Sequence, residues 1–361
     1  MITNKMRKII VVGVVHHNTL GMVRCLGSAR FHIDLILVGH DGYISKSRYV
    51  KRTILATDES EIINILQNNY GNEREKQIVI ACTDKASSVL DLNYNKIKDS
   101  FLFFNCGDYG RATYCMNKQV QVEIANSVGI TTPCSYEYKG ELQKTIFPCL
   151  LKPVQSINGG KKVVICYDEK ELQTGLSSFS KQDVVLVQQF IKKEFEIVVL
   201  GCSTDKGVVI PGYIMKHRDF DGGTLFSTVC PIEELPSEFV EKCKRMIEAM
   251  KYSGLFGIEF IKSNNQYYFI EANLRNDATT YALAVAGANL PEYYVNSFFK
   301  EDNKIPHVAK RIDAIVEFND YKHRKDYNVG LCSWLKQYFS SKCKYYWNCK
   351  DPIPFFFAPF K

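Results

Sequence analysis

The sequence has no run of 18 apolar residues, so no segment of it suits a helix that crosses a bilayer. No secretory leader precedes the first apolar stretch, because charged and apolar residues alternate too quickly there. The 13 cysteines are an odd number, scattered without the close pairing of zinc ligands. That usage points to a reducing cytoplasm rather than an extracellular disulfide framework. Two phosphate-cradling signatures are missing as well, the GxGxxG dinucleotide turn and the GxxxxGK[ST] P-loop. Charge of one sign is also in short supply. The 46 Lys and Arg stand against 39 Asp and Glu, and the excess of +7 reads as modest and dispersed. It suits small anions such as nucleotide phosphates, or simply solubility, and does not identify a nucleic-acid binder.

What is present is a globular composition in 361 residues, 46% hydrophobic and 24% charged. That length predicts two or three packed units rather than one domain or a disordered chain. Lys8–Val15 reads KIIVVGVV, and His32–Val38, Gln77–Ala81 and Phe101–Phe104 are further short apolar runs. Helix-sized segments such as Glu59–Asn68 separate them, which predicts a parallel α/β layer. Gly13 then serves a ligand or a tight strand exit. His16 and His17, neighbours that on an extended segment face opposite sides, need not enter one site, so a local turn or a cleft of this domain is expected rather than a two-histidine metal centre.

Richer chemistry begins near Arg111. A helix is expected over Asn117–Val128. FPCLLKP places Lys152 at the end of an apolar strand, and the SINGGK loop that follows, with Ser156, Gly159 and Gly160, can offer backbone amides to phosphate. Next comes VVLVQQF over Val184–Phe190. Backbone groups around Gln188, Gln189, Phe190 and Ile191 can meet an adenine edge, and Glu194 or its strand neighbour Glu196 can accept from ribose hydroxyls.

GLFGIEFI and YYFIEANLR, parted by SNN, predict an antiparallel hairpin. Glu259 and Glu271 lie inside its apolar runs, where an unpaired carboxylate is costly. With Asn273 they form an oxygen donor set suited to Mg²⁺ held together with phosphate, and paired structural salt bridges are the plainer alternative. Arg275 can address a further anion. KHRDFDGGT at 216–224 reads as a mobile surface loop, or as a substrate contact through Lys216, His217 or Arg218. The basic, aromatic tail from Tyr321 reads as a structural or protein-interface element. Its FFFAPF end is expected to be buried in the domain or an interface rather than to insert stably in a membrane.

In this order NK at 117–118, LLKP, SINGG, QQFIKKEFE, GIEF and EANLR resemble the ATP-grasp superfamily, over roughly Arg111 to Ala288. The likeness is strongest to carboxylate–amine ligases, with some character of amino-acid ligases. It implies an ATP-grasp fold, α/β and α+β, behind an N-terminal parallel-sheet domain that precedes it in many members. The expected divisions are 1–110 for that domain, 111–191 for a nucleotide-binding lobe, 192–310 for a metal and catalytic lobe, and 311–361 for a C-terminal extension packed on it. The resemblance sets Lys118 and Lys152 at the phosphates and Gln188–Ile191 at the adenine hinge. It puts Glu194 at ribose, Glu259, Glu271 and Asn273 on the metal, and Arg275 on an anion. Lys152 and Arg275 would be the catalytic pair. Implied cofactors are ATP and Mg²⁺, or Mn²⁺, and implied partners are a small carboxylate and an amine, with a homodimer allowed. The reaction would run through an acyl phosphate. A small-molecule kinase and a catalytically silent nucleotide-regulated protein are the alternatives. Gln188 stands where relatives often carry an acid, and NDATT follows EANLR where many continue with glycine.

Overall fold

A computed structural model describes residues 8–153, 163–180, 184–299 and 303–358. The first sheet holds β1 (Ile9–Gly13), β2 (Ile33–Val38), β3 (Val50–Ala56), β4 (Gln77–Ala81) and β5 (Phe101–Phe103), all parallel, in the order β3-β2-β1-β4-β5. Its strands read as unbroken apolar runs because both faces are covered. Ile9 and Val11 enter one core, while Ile10 and Val12 enter another on the opposite face. The edge strand β3 escapes a search for apolar runs because most of its residues are not buried, and Lys51 and Arg52 are exposed.

Gly13 marks a tight strand exit. A Cβ there would lie 2.3 Å from Thr19 Oγ1 and 3.2 Å from Cys82 Cβ, so β1 must pass close to the following helix, His17–Ser28. Gly13→Ala is expected to destabilise the fold by about 1–3 kcal/mol, the usual cost of overpacking. An unchanged urea midpoint would contradict that account.

A small antiparallel sheet follows, with β6 (Ser135–Glu137), β7 (Cys149–Pro153), β8 (Val164–Cys166) and β9 (Val185–Gln189) in the order β6-β9-β7-β8. It has its own core of Cys149, Leu151, Cys166, Leu172, Val185 and Val187. The expected phosphate loop, with Ser156, Gly159 and Gly160, lies outside the described residues.

The largest sheet runs β14-β13-β10-β11-β12-β15-β16. Its members are β10 (Phe195–Thr204), β11 (Gly207–Phe220), β12 (Gly223–Pro231), β13 (Gly254–Ser263), β14 (Gln266–Asn273), β15 (Ile312–Ile315) and β16 (Cys343–Lys344). The 216–224 segment is therefore no loop. β11 runs through Lys216, His217 and Arg218 and turns only at Asp221–Gly222, both at positive φ, as a two-residue hairpin requires. The expected hairpin at SNN closes likewise at Asn264–Asn265. Because β15 and β16 come from residues beyond 310, the C-terminal extension completes this sheet as well as packing on it. No helix among the described residues is long and apolar enough to cross a membrane.

Candidate active site

Charged side chains gather on one face of the large sheet. Glu259 on β13 sits directly opposite Glu271 on β14, and Gly257 opposite Asn273. A bulge follows Glu259, since pairing resumes at Phe260 with Phe269. Directly opposed residues share a face, as do positions two apart on a strand, so Glu259, Glu271 and Asn273 are brought together as the spacing predicts.

Each carboxylate has a cation. Lys216 Nζ lies 2.7 Å from Glu259 Oε2 and 3.3 Å from Glu196 Oε2, and Lys118 Nζ lies 3.1 Å from Glu271 Oε2. Burial pushes the Glu259 pKa up, and Asp277 and Glu271 add to it against the opposing pull of Lys216. Burial works against the charge on Lys216, but Glu259, Glu196 and Asp277 outweigh it, and its pKa is raised. Lys152, half-buried on β7, donates to Gln188 Oε1 at 3.0 Å. Its pKa is lowered by burial and by Lys118, with Glu271 pulling the other way. Lys118, Lys152 and Glu271 thus form one electrostatic group between the small sheet and the large one.

Asn273 and Arg275 carry this group towards the first sheet. Asn273 Nδ2 donates to Glu259 Oε1 at 3.2 Å, while its Oδ1 accepts from Arg275 Nη2 at 3.0 Å. Arg275 Nε donates to Asp84 Oδ1 at 2.8 Å, just beyond the end of β4. Asn276 is hydrogen-bonded to Asn18, beyond the end of β1. The strand order of the first sheet reverses between β1 and β4, so Arg275 lies at the kind of crevice where open α/β sheets take ligands.

Several expectations need correcting. Arg218 points away from this cluster. Its guanidinium donates to both oxygens of Asp320 at 2.7 and 2.8 Å and lies 4.3 Å from the Phe226 ring centre, so it is a structural anchor for the tail. His217 Nε2 is 2.8 Å from Thr228 Oγ1. Lys216 reaches the cluster, but by holding carboxylates. Glu194 Oε1 accepts from Asn264 N at 2.8 Å at the tip of the β13–β14 turn, whereas Glu196 faces Lys216. At the hinge, Gln189 N and Phe190 N donate to Cys134 O and Pro148 O, and among the described residues nothing accepts from Ile191 N–H. Asp277 was missed altogether. It packs over Gly257, where a Cβ would come within 3.2 Å of it. The DG turn ahead of β12 was the available sign that 216–220 is strand.

His16 and His17 do not diverge. The chain turns into a helix at His17, so the two rings lie 3.9 Å apart, with His16 Nδ1 accepting from Asn18 N as the helix cap. Burial holds the His17 pKa well below its ordinary 6.5, and His16 adds to the effect. As pH falls through 6.5 the unfolded chain takes up this proton first. Stability should therefore drop by about 1.4 kcal/mol per pH unit from that group, until the depressed native pKa is reached. His17→Gln should flatten the plot of urea midpoint against pH below 6.5, and curves parallel to wild type would sink the assignment.

Among the described residues no three His, Cys, Asp or Glu side chains converge as a metal site on their own. Glu259 and Glu271 supply two carboxylates, a set that fits Mg²⁺ when phosphate oxygens complete the shell.

Known proteins share the fold that carries this site. The family model for the ATP-grasp domain matches residues 115–290. The carbamoyl phosphate synthase large chain, C-terminal section, of Aquifex aeolicus is 30% identical over 142 residues, 37% of this chain and 26% of that one. The large chain from Clostridium acetobutylicum is 29% identical over 213 residues, 52% of this chain and 19% of that one. This chain thus spans about a quarter or less of these curated relatives. By structure, the L-amino acid ligase of Bacillus licheniformis superposes with a TM-score of 0.63 at 14% identity, covering 87% of this chain and 80% of that one. N5-carboxyaminoimidazole synthetase of Staphylococcus aureus, complexed with ADP, gives 0.66 at 12%, covering 90% and 87%. Those two likenesses are of fold. Residues 115–290 of this chain match an ATP-grasp domain, and a parallel five-stranded sheet lies ahead of it.

Proposed function

We propose that the protein is an ATP-dependent carboxylate–amine ligase. One observation carries the reading: Glu271, paired in register with Glu259, meets Lys118 and the field of Lys152 from the small sheet, and Arg275 ties the pair to the crevice of the first sheet. The names of the curated relatives and structural neighbours, synthases and ligases, support it.

In this reading ATP lies between the small and large sheets. Its adenine meets the Ile191 N–H at the hinge 188–191. Glu194 keeps its second oxygen for a ribose hydroxyl. Lys118 and Lys152 turn from their present partners to the phosphates. Bound between Glu259, Glu271 and phosphate oxygens, Mg²⁺ would supply charge neutralisation on the transferring group. The substrate carboxylate sits beside Arg275 and attacks the γ-phosphorus in line, giving ADP and an acyl phosphate. An amine then attacks the acyl carbon, and phosphate leaves as the amide forms. Orientation and fixed charge do the work, and no protein nucleophile is needed. The four chain divisions expected from sequence, a cytoplasmic location and the absence of a nucleic-acid partner belong to the same reading, which admits a homodimer.

Mass spectrometry of products formed from ATP, Mg²⁺ and a panel of carboxylates and amines tests it. The expected result is one new amide with equal ADP and phosphate. ADP with a stable phosphorylated product and no amide would replace the ligase by a kinase. Mg·ATP binding with no ADP release across the panel would favour a silent nucleotide-regulated protein.

A further inference from the structure

The charge excess that reads as dispersed is concentrated at one end. Residues 321–361 hold eight Lys and Arg and two Asp, which is +6 of the chain's +7, and they hold both of its tryptophans. None of this is used by the nucleotide site. Helix Leu331–Ser340 buries Trp334 against Phe226 and Ile315, and its indole Nε1 donates to Asp320 at 2.8 Å. Three other apolar residues of that helix face out at four-residue spacing: Leu331 at 49% exposed, Leu335 at 39% and Phe339 at 74%. Helix Ile353–Phe357 exposes Phe356 at 68% and Phe357 at 61%. A cavity of about 530 Å³ is walled by Leu335 and Phe339 of the first helix, by Phe318, Tyr321 and Lys322 of helix Glu317–His323, and by Phe355 of the second, so the second helix borders the same surface. Lys322 is in its wall, and Lys336, Lys342 and Lys350 are exposed on the same segment. Single exposed apolar side chains need no explanation, but a contiguous set rimmed by cations does.

We propose that this surface docks the protein on an anionic phospholipid bilayer, lying on the membrane without spanning it. Two features select that occupant. Protruding aliphatic and phenylalanine side chains suit the boundary between headgroup and acyl chain, with lysines reaching up to the phosphates. The phenylalanines are interleaved with Leu331 and Leu335, an aliphatic share that suits acyl chains better than a groove built to stack bases. Anionic lipid also matches the surplus of Lys and Arg in this segment. The inference does not depend on the ligase reading, since no residue of the nucleotide site takes part.

The test uses the full chain with vesicles of phosphatidylcholine alone and of phosphatidylcholine mixed with phosphatidylglycerol. Wild type should co-sediment with the mixed vesicles only, with tryptophan emission shifting to the blue and binding lost at high salt. The pair Phe356→Ser and Phe357→Ser should weaken vesicle binding by about 100-fold, given the usual gain from burying two phenyl rings. The pair Lys342→Gln and Lys350→Gln should weaken it by about tenfold or more and reduce the salt dependence. Both pairs should keep the wild-type urea midpoint and the thermal shift produced by Mg·ATP. Indifference of wild type to lipid composition would overturn the proposal, and so would full vesicle binding by either variant pair. Binding of a single-stranded RNA oligonucleotide in place of vesicles, or a dimer that the Phe pair dissociates, would overturn it in favour of a nucleic acid or a second copy. Should the Phe pair fold poorly, the Lys pair and the salt series still decide the question.

Discussion

Glu271→Gln should abolish the thermal stabilisation that Mg·ATP gives the protein and lower substrate-dependent ADP release by about 100-fold or more, as expected when a charge-bearing metal ligand is made neutral. The argument is electrostatic. Glu271 stands opposite Glu259 in register, and each is held by an ammonium group, so the face balances two negative charges with Lys118 and Lys216 before any nucleotide arrives. The amide removes one charge with little change of shape, and Lys118 loses its ion-pair partner. ATP without Mg²⁺ should stabilise the variant at least as well as wild type, because the lysines would then face fewer competing carboxylates. An unchanged response to Mg·ATP would remove Glu271 from the metal site while leaving the fold assignment intact.

Asp351→Ala should cost about 3–5 kcal/mol of stability, the range for breaking a buried ion pair from one side. Asp351 and Arg24 are each 1% exposed, with Arg24 Nε 3.0 Å from Asp351 Oδ2. Arg24 also donates to the carbonyls of Tyr345, Tyr346 and Asp351, and Asp351 accepts from Ser47 Oγ and Arg48 N. Alanine leaves a guanidinium buried without its counter-charge. Replacing both partners, as Arg24→Met with Asp351→Leu, should cost less than the single change. Urea midpoints of the two variants measure the difference, and a single variant that melts with wild type would refute the burial argument.

Much of the first sheet was legible because its strands are covered on both faces, which leaves unbroken runs such as IIVVG and QIVIA. The β13–β14 hairpin and its three polar residues were legible for a different reason. Two acids inside apolar runs are costly enough to demand a purpose, and strand spacing of two fixes their shared face. Reading failed where partners come from afar. Nothing local to Arg218 shows that Asp320, about a hundred residues on, will claim it. Nothing near Arg24 announces Asp351. Glu194 and Glu196 have the same local pattern, and only the approach of Lys216 and of the 264 turn separates their roles. At His16 and His17 a local turn is expected and a helix does begin there, but its cap geometry, which brings the two rings together, has no local sign.

Those two distant ion pairs have a mechanical meaning. Arg24 with Asp351 rivets the first sheet's helix to the tail, and Arg218 with Asp320 rivets the tail to the large sheet. The first and large sheets share one continuous core besides. The three parts make a stiff chassis, and twisting them against one another would expose buried charge. The four-stranded sheet has its own core, and among the described residues no buried ion pair rivets it in this way, so it should be the compliant jaw. In the proposed ligase reading, closing over a nucleotide would fall to that jaw, carrying Lys152 towards Glu259, Glu271 and Arg275. Amide hydrogen exchange should register this division of stiffness, with β6–β9 slowing on nucleotide binding while β1 and β10 hold their rates.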